Sequence, residues 1–162
     1  MALKTIEWVN QKIKIIDQTK LPGKLSYIYL GDLKSLWQAI RLLKVRGAPA
    51  LGAAAGLGVY LGTKNSRAKV FGEFSKELDR VARYLASSRP TARNLFWGLE
   101  RMCSVALKNK NKPIPQIKKL FFQEAQKIIE EDRVTCRKIG RFGAKLISSG
   151  DTVLPLISKA HS

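Results

Sequence analysis

The chain has 162 residues, 45% of them hydrophobic and 26% charged, and its 30 basic against 12 acidic side chains give a formal net charge of +18. That length suits one ordinary domain with a real core, and the composition excludes a chain disordered throughout. Two cysteines and one histidine exclude a structural zinc site, which takes about four such ligands, and by count they exclude a disulfide framework.

The opening predicts strands. Residues 5–9 (TIEWV) and 12–17 (KIKIID) alternate about Asn10-Gln11, a pair suited to a tight hairpin with Asn at positive φ. Pro22-Gly23 marks a turn, and residues 25–30 (LSYIYL) predict a third strand. After Gly31 the period changes. Leu33, Leu36, Ile40 and Leu43 recur at three and four residues behind Asp32, a plausible N-cap, so a helix is expected there.

Arg46-Gly47-Ala48-Pro49 interrupts that helix, and a second is expected from about Pro49 to Leu61, because proline suits a helix's first turn. It lies in an uncharged run over residues 47–63 that holds five glycines. The run is slightly short and too glycine-rich for a membrane span of about 20 residues. It reads as a buried helix whose GAAAGLG stretch lets another backbone approach closely. A third helix is expected over residues 68–86, with Val70, Phe74, Leu78, Val81 and Leu85 on one face. Residues 87–91 (SSRPT) break the chain. A fourth helix carries Leu95, Leu99, Met102 and Ala106, and residues 108–115 form a basic, proline-bounded loop. Two further helices are expected over residues 115–132 and 133–148, then a turn at Gly150-Asp151 and a strand beginning at Thr152-Val153-Leu154. The expected fold class is α+β: a small N-terminal antiparallel β-meander followed by a helical bundle over residues 1–150.

Two loops carry chemical content. RGAP at 46–49 and SSRPT at 87–91 each set an arginine just ahead of a helix start. Unpaired N–H groups and the positive end of the dipole meet there, and a guanidinium can add a forked pair of hydrogen bonds to a phosphate. On the residues alone an ordinary helix start is the stronger reading of both loops. Cys103 and Cys136 read as small core hydrophobes, Glu130-Glu131-Asp132 as a solvated run, His161 as terminal, and Trp8, Trp37 and Trp97 as packing residues. No phosphate-loop, dinucleotide or metal motif is present, and no cofactor is expected. The first residues lack the long apolar stretch of a signal peptide, so a cytoplasmic protein with reduced thiols is expected.

Five segments in order resemble the methylthioribose-1-phosphate isomerases of methionine salvage. They are TIEW at 5–8, IDQTKLP at 16–22, LWQAIRLLKVRGAPALGAAAG at 36–56, SRPTARNLFWGLERM at 88–102 and IGRFGAKLISSGDTVL at 139–154. The resemblance implies an aldose–ketose isomerisation of methylthioribose 1-phosphate to methylthioribulose 1-phosphate. It implies that Arg46, Gly47, Ala48 and Arg89 bind the phosphorylated sugar, and that the full-length family forms homodimers. After GDTVL the family continues Thr-His-Cys-Asn-Ala-Gly into a Rossmann-like domain holding the catalytic cysteine and aspartate, whereas here PLISKAHS follows Leu154. The expectation is therefore an N-terminal portion with residues 151–162 as the aborted first strand of a missing domain, part of a substrate site, no catalytic residue and no turnover. The alternative readings are a non-catalytic relative of initiation-factor exchange-complex subunits or of ribose-1,5-bisphosphate isomerases. A nucleic-acid-binding module exploiting the positive charge ranks last, for want of a binding motif.

Overall fold

The computed structural model describes residues 3–152. Strands β1 (Ile6–Val9), β2 (Lys12–Ile16) and β3 (Tyr27–Leu30) form an antiparallel sheet in sequence order. Trp8 pairs with Ile13 and Val9 with Lys12, leaving Asn10 (φ 48°) and Gln11 (φ 63°) as a two-residue turn. Two left-handed residues in succession match the right-handed twist of the flanking strands. Alternation then decides the faces: Ile13, Ile15, Ile6 and Leu30 are buried, while Lys12 points to solvent.

Asp32 caps α1 (Leu33–Arg41): its carboxylate accepts the Ser35 N–H at 2.7 Å, and the Asp32 N–H reaches Ser35 Oγ at 3.4 Å. The helix closes with Leu43 in the left-handed region (φ 56°) and the Val45 N–H on the Ala39 carbonyl at 3.1 Å. That reversal delivers the chain to α2 (Ala48–Thr63), the hub of the bundle, whose residues from Leu51 to Val59 are all buried. A helix apolar on every side needs neighbours on every side. It has them in α1, α3 (Phe71–Ser88), α4 (Arg93–Lys108) and α5 (Ile114–Gly143). Among the described residues no helix is long and apolar enough to cross a membrane, as the glycine content of the run suggested.

The expected core faces of α3 and α4 are buried at Phe74, Leu78, Val81, Leu85, Leu95, Leu99, Met102 and Ala106. Val70 departs from expectation at 57% exposed, because α3 begins at Phe71 and leaves Val70 outside as the N-cap. The larger correction is at the C-terminal side. The two helices expected over 115–132 and 133–148 are one, α5, followed by a short 3-10 turn over Ala144–Leu146. The point of division, Asp132-Arg133, contains no glycine or proline. Instead Glu130 pairs with Arg133 within the helix, and the Thr135 hydroxyl donates back to the Glu131 carbonyl. Its first half is buried at Ile117, Phe121, Ala125 and Ile128; beyond Asp132 it leaves the bundle, with Ile139 and Phe142 exposed. Of the strand expected at Thr152-Val153-Leu154, only Thr152 is described, without regular structure; the rest, with His161, lies outside the described residues.

The Glu130-Glu131-Asp132 run is more than a solvated face. Arg101 of α4 donates Nε to Glu124 at 2.6 Å and its two terminal nitrogens to Glu131 at 2.6 and 3.0 Å, tying α4 to α5. The guanidinium hydrogen bonds hold the Glu131 carboxyl below its ordinary value of 4.5. Lys14 does the same for Glu7 and Arg133 for Glu130. A carboxyl whose value is depressed on folding stabilises the fold above the unfolded value, and that contribution disappears as pH falls through the folded one. Thermal melting should therefore be flat near neutrality and drop below about pH 4.5. Glu131→Gln should flatten the acid limb, and an unchanged limb would remove the Arg101 network as its cause.

Candidate functional site

Two of the five segments that resemble the family, residues 16–22 and 36–56, meet in space. Asp17 is buried and accepts both the Thr19 hydroxyl (2.6 Å) and the Thr19 N–H (3.2 Å), which lower its pKa and lock the turn after β2. From that turn the Gln18 N–H donates to the Lys44 carbonyl at 3.2 Å and the Gln18 side chain donates to the Arg46 carbonyl at 3.1 Å. The turn thus buttresses the loop that carries Arg46-Gly47. Gly47 sits at φ 94°, a value that L side chains rarely adopt, while a Cβ built there would meet nothing within 4 Å. Conformation, not crowding, calls for glycine at this position, and the space above it is open.

That space is a cleft of about 830 Å³. Arg46, Gly47 and the first turns of α2 (Pro49, Ala50, Ala53) make one wall, and Ile6, Ile16, Gln18 and Leu21 close the base. The opposite wall is α5, through Ile129, Asp132, Arg133, Cys136 and Arg137, with Leu3 and Lys4 at the rim. The Leu51 N–H already bonds the Gly47 carbonyl at 3.1 Å, and Pro49 has no N–H, so Ala48 and Ala50 hold the N–H groups without a helical acceptor. Arg46 is exposed, and among the described residues its guanidinium makes no ion pair.

Of the four expected site residues, Arg46 and Gly47 line this cleft, whereas Ala48 is exposed beside it and Arg89 is not among its walls. Arg89 is half-buried at the end of α3, and its carbonyl accepts the Ala92 N–H at 3.1 Å, one turn ahead of α4. The start of α4 lies against that of α2: a Cβ built on Gly52 would stand 3.1 Å from the Trp97 ring and 3.6 Å from the Asn94 carbonyl. Both expected anion loops therefore enter neighbouring helix starts, without sharing one cavity wall. Cys103, expected in the core, is half-buried and packs against it, and burial pushes its thiol up. Cys136 is exposed in the cleft rather than in the core, 3.8 Å from Asp132 Oδ1. The residues of α5 were missed as a site, although 129, 132–133 and 136–137 recur at helical spacing.

The model of the Initiation factor 2 subunit family matches residues 44–160. The chain belongs to that family. It is 46% identical over 154 residues to the methylthioribose-1-phosphate isomerase of Geobacter sulfurreducens, a match covering 95% of this chain and 44% of that protein. The chain thus spans less than half the length of such relatives. The crystal structure of 5-methylthioribose 1-phosphate isomerase from Pyrococcus horikoshii superposes with a TM-score of 0.85 at 36% identity, covering 90% of this chain and 41% of that one. The translation initiation factor eIF-2B subunit delta from A. fulgidus gives 0.82 at 43% identity, covering 93% and 43%. The sheet-then-bundle architecture read from the residues is shared with the matched portions of these proteins.

Proposed function

We propose that this chain supplies the sugar-phosphate-binding part of a cytoplasmic aldose–ketose isomerase acting on methylthioribose 1-phosphate. The observation that carries the reading is the open cleft over Gly47, beside an Arg46 with no ion pair among the described residues, in a chain 46% identical to a methylthioribose-1-phosphate isomerase. In this reading Arg46 takes the phosphate in a forked hydrogen bond, the backbone of Gly47 and Ala48 donates to it, and Arg89, at the end of α3 and outside the cleft walls, adds a second positive charge from the neighbouring loop. Guanidinium stays protonated at any working pH, so these arginines clamp charge and do not move protons. An initiation-factor-type role is the second reading, supported by the likeness to the eIF-2B subunit, and it requires no sugar phosphate in the cleft.

Calorimetric titration of the 162-residue chain with methylthioribose 1-phosphate separates the two. Arg46→Ala and Arg89→Ala should each weaken binding by about tenfold or more, since hydrogen bonds to charged groups are worth about 1.5–3 kcal/mol. Added salt should weaken it further, while Lys110→Ala and Lys112→Ala, in the basic loop, should leave it nearly unchanged. Absence of binding at millimolar ligand would favour the initiation-factor reading.

A further inference from the structure

We propose that Arg137 of α5 is a second phosphate-binding residue, holding the anion from the wall opposite Arg46. The inference rests on the sugar-phosphate reading of the cleft and adds a residue that the two signature loops do not contain. Four basic side chains line this cavity: Lys4, Arg46, Arg133 and Arg137. Two of them already have carboxylates. Lys4 pairs with Glu7 at 3.2 Å, and Arg133 pairs with Glu130 on its own helix. Arg137 contributes to the field at Glu130 but makes no ion pair among the described residues. Two uncommitted guanidinium groups thus border one cleft, one on the loop before α2 and one on α5. A phosphate with three exposed oxygens can accept a fork from each.

The rest of the cavity divides by chemistry in a way that suits the same ligand. Asp132, on the α5 wall, is a hydrogen-bond acceptor for sugar hydroxyls and would repel the phosphate toward the arginines. Ile16, Leu21, Ala53 and Ile129 offer apolar surface, the match for a methylthio group. A cavity of this size lies in the range of small-molecule sites, which run roughly 300–1,000 Å³. Arg137 is exposed and stands where α5 has left the bundle, so its replacement should not disturb the core.

The test is the affinity of the 162-residue chain for methylthioribose 1-phosphate and, separately, for inorganic phosphate. Arg137→Ala and Arg137→Gln should weaken both by about tenfold, with Arg137→Lys recovering part of the loss. Arg141→Ala, one turn further along α5 and outside the cleft, is the control for general positive charge and should change affinity little. Wild-type affinity in Arg137→Ala alongside weakened Arg46→Ala overturns the role of Arg137 and leaves the site reading standing. Equal losses in Arg137→Ala and Arg141→Ala overturn it in favour of bulk charge. No binding by the parent chain removes both readings together.

Discussion

Alanine at Gly98 is expected to destabilise the chain by about 1–3 kcal/mol, and alanine at Gly140 to stabilise it by up to about 1 kcal/mol. Both glycines lie inside helices, where alanine is the better helix former by roughly 0.8–1.0 kcal/mol. Propensity alone therefore predicts a gain at both positions. Packing reverses one of them. A Cβ on Gly98 would stand 2.7 Å from Ala55 Cβ and 2.8 Å from the Gly52 carbonyl oxygen, so α2 and α4 would have to separate. A backbone oxygen cannot rotate aside as a long side chain can, and interiors are packed too densely to absorb the shift. At Gly140, on the part of α5 that leaves the bundle, a Cβ meets nothing within 4 Å. Urea unfolding of the two variants gives the comparison directly. Shifts of the same sign would mean that the α2–α4 contact is looser than its geometry requires.

This contrast also shows which parts of the fold the residues disclose. The GAAAGLG run announced close helix contact, because small side chains at helical spacing have little use other than letting a neighbour approach. It could not say which helices come close: α4 does so at Gly98, a single glycine in a stretch read only for its apolar face, and α5 at Ala125, whose Cα would stand 3.2 Å from a Cβ on Gly56. The hairpin about Asn10-Gln11 and the cap at Asp32 were legible because each depends on chemistry within a few residues. The break expected within α5 failed for the same reason in reverse. No glycine or proline marks residues 132–133, and the Glu130–Arg133 pair within the helix spans that point.

The candidate site was half legible. Arg46 and Gly47 stand out because arginine, positive-φ glycine and proline together mark a helix start that can face an anion. The α5 wall did not, since Asp132, Cys136 and Arg137 become neighbours of Arg46 only through tertiary packing nearly 90 residues away in the chain. Gln18 was hidden in the same way: its side-chain amide supports the Arg46 carbonyl across 28 residues, a partnership with no local signal.

The 162-residue chain is expected to bind methylthioribose 1-phosphate without converting it. Isomerisation opens the sugar ring and moves hydrogen between adjacent carbons, which needs positioned acid and base groups contributing about 10²–10⁴-fold each. In the cleft the arginines cannot serve, for they do not release a proton. That leaves Lys4, which is paired with Glu7, and Asp132 and Cys136 as the groups there able to exchange one. Cys136 is exposed on one helical turn with Asp132, 3.8 Å away, and neither faces a second donor or base in the described hydrogen bonding. The resemblance instead assigns the chemistry to a cysteine and an aspartate of a Rossmann-like domain that follows a Thr-His-Cys-Asn-Ala-Gly segment these 162 residues do not contain. A coupled assay for ketose product should therefore stay at the level of buffer for the parent chain. It should stay there for Asp132→Asn and Cys136→Ser, which should both keep at least part of the binding affinity. Turnover by the parent that disappears in either variant would relocate the acid–base groups to α5 and overturn this division of labour. Turnover that survives both would leave Lys4 or a group outside the cleft as the source of the chemistry.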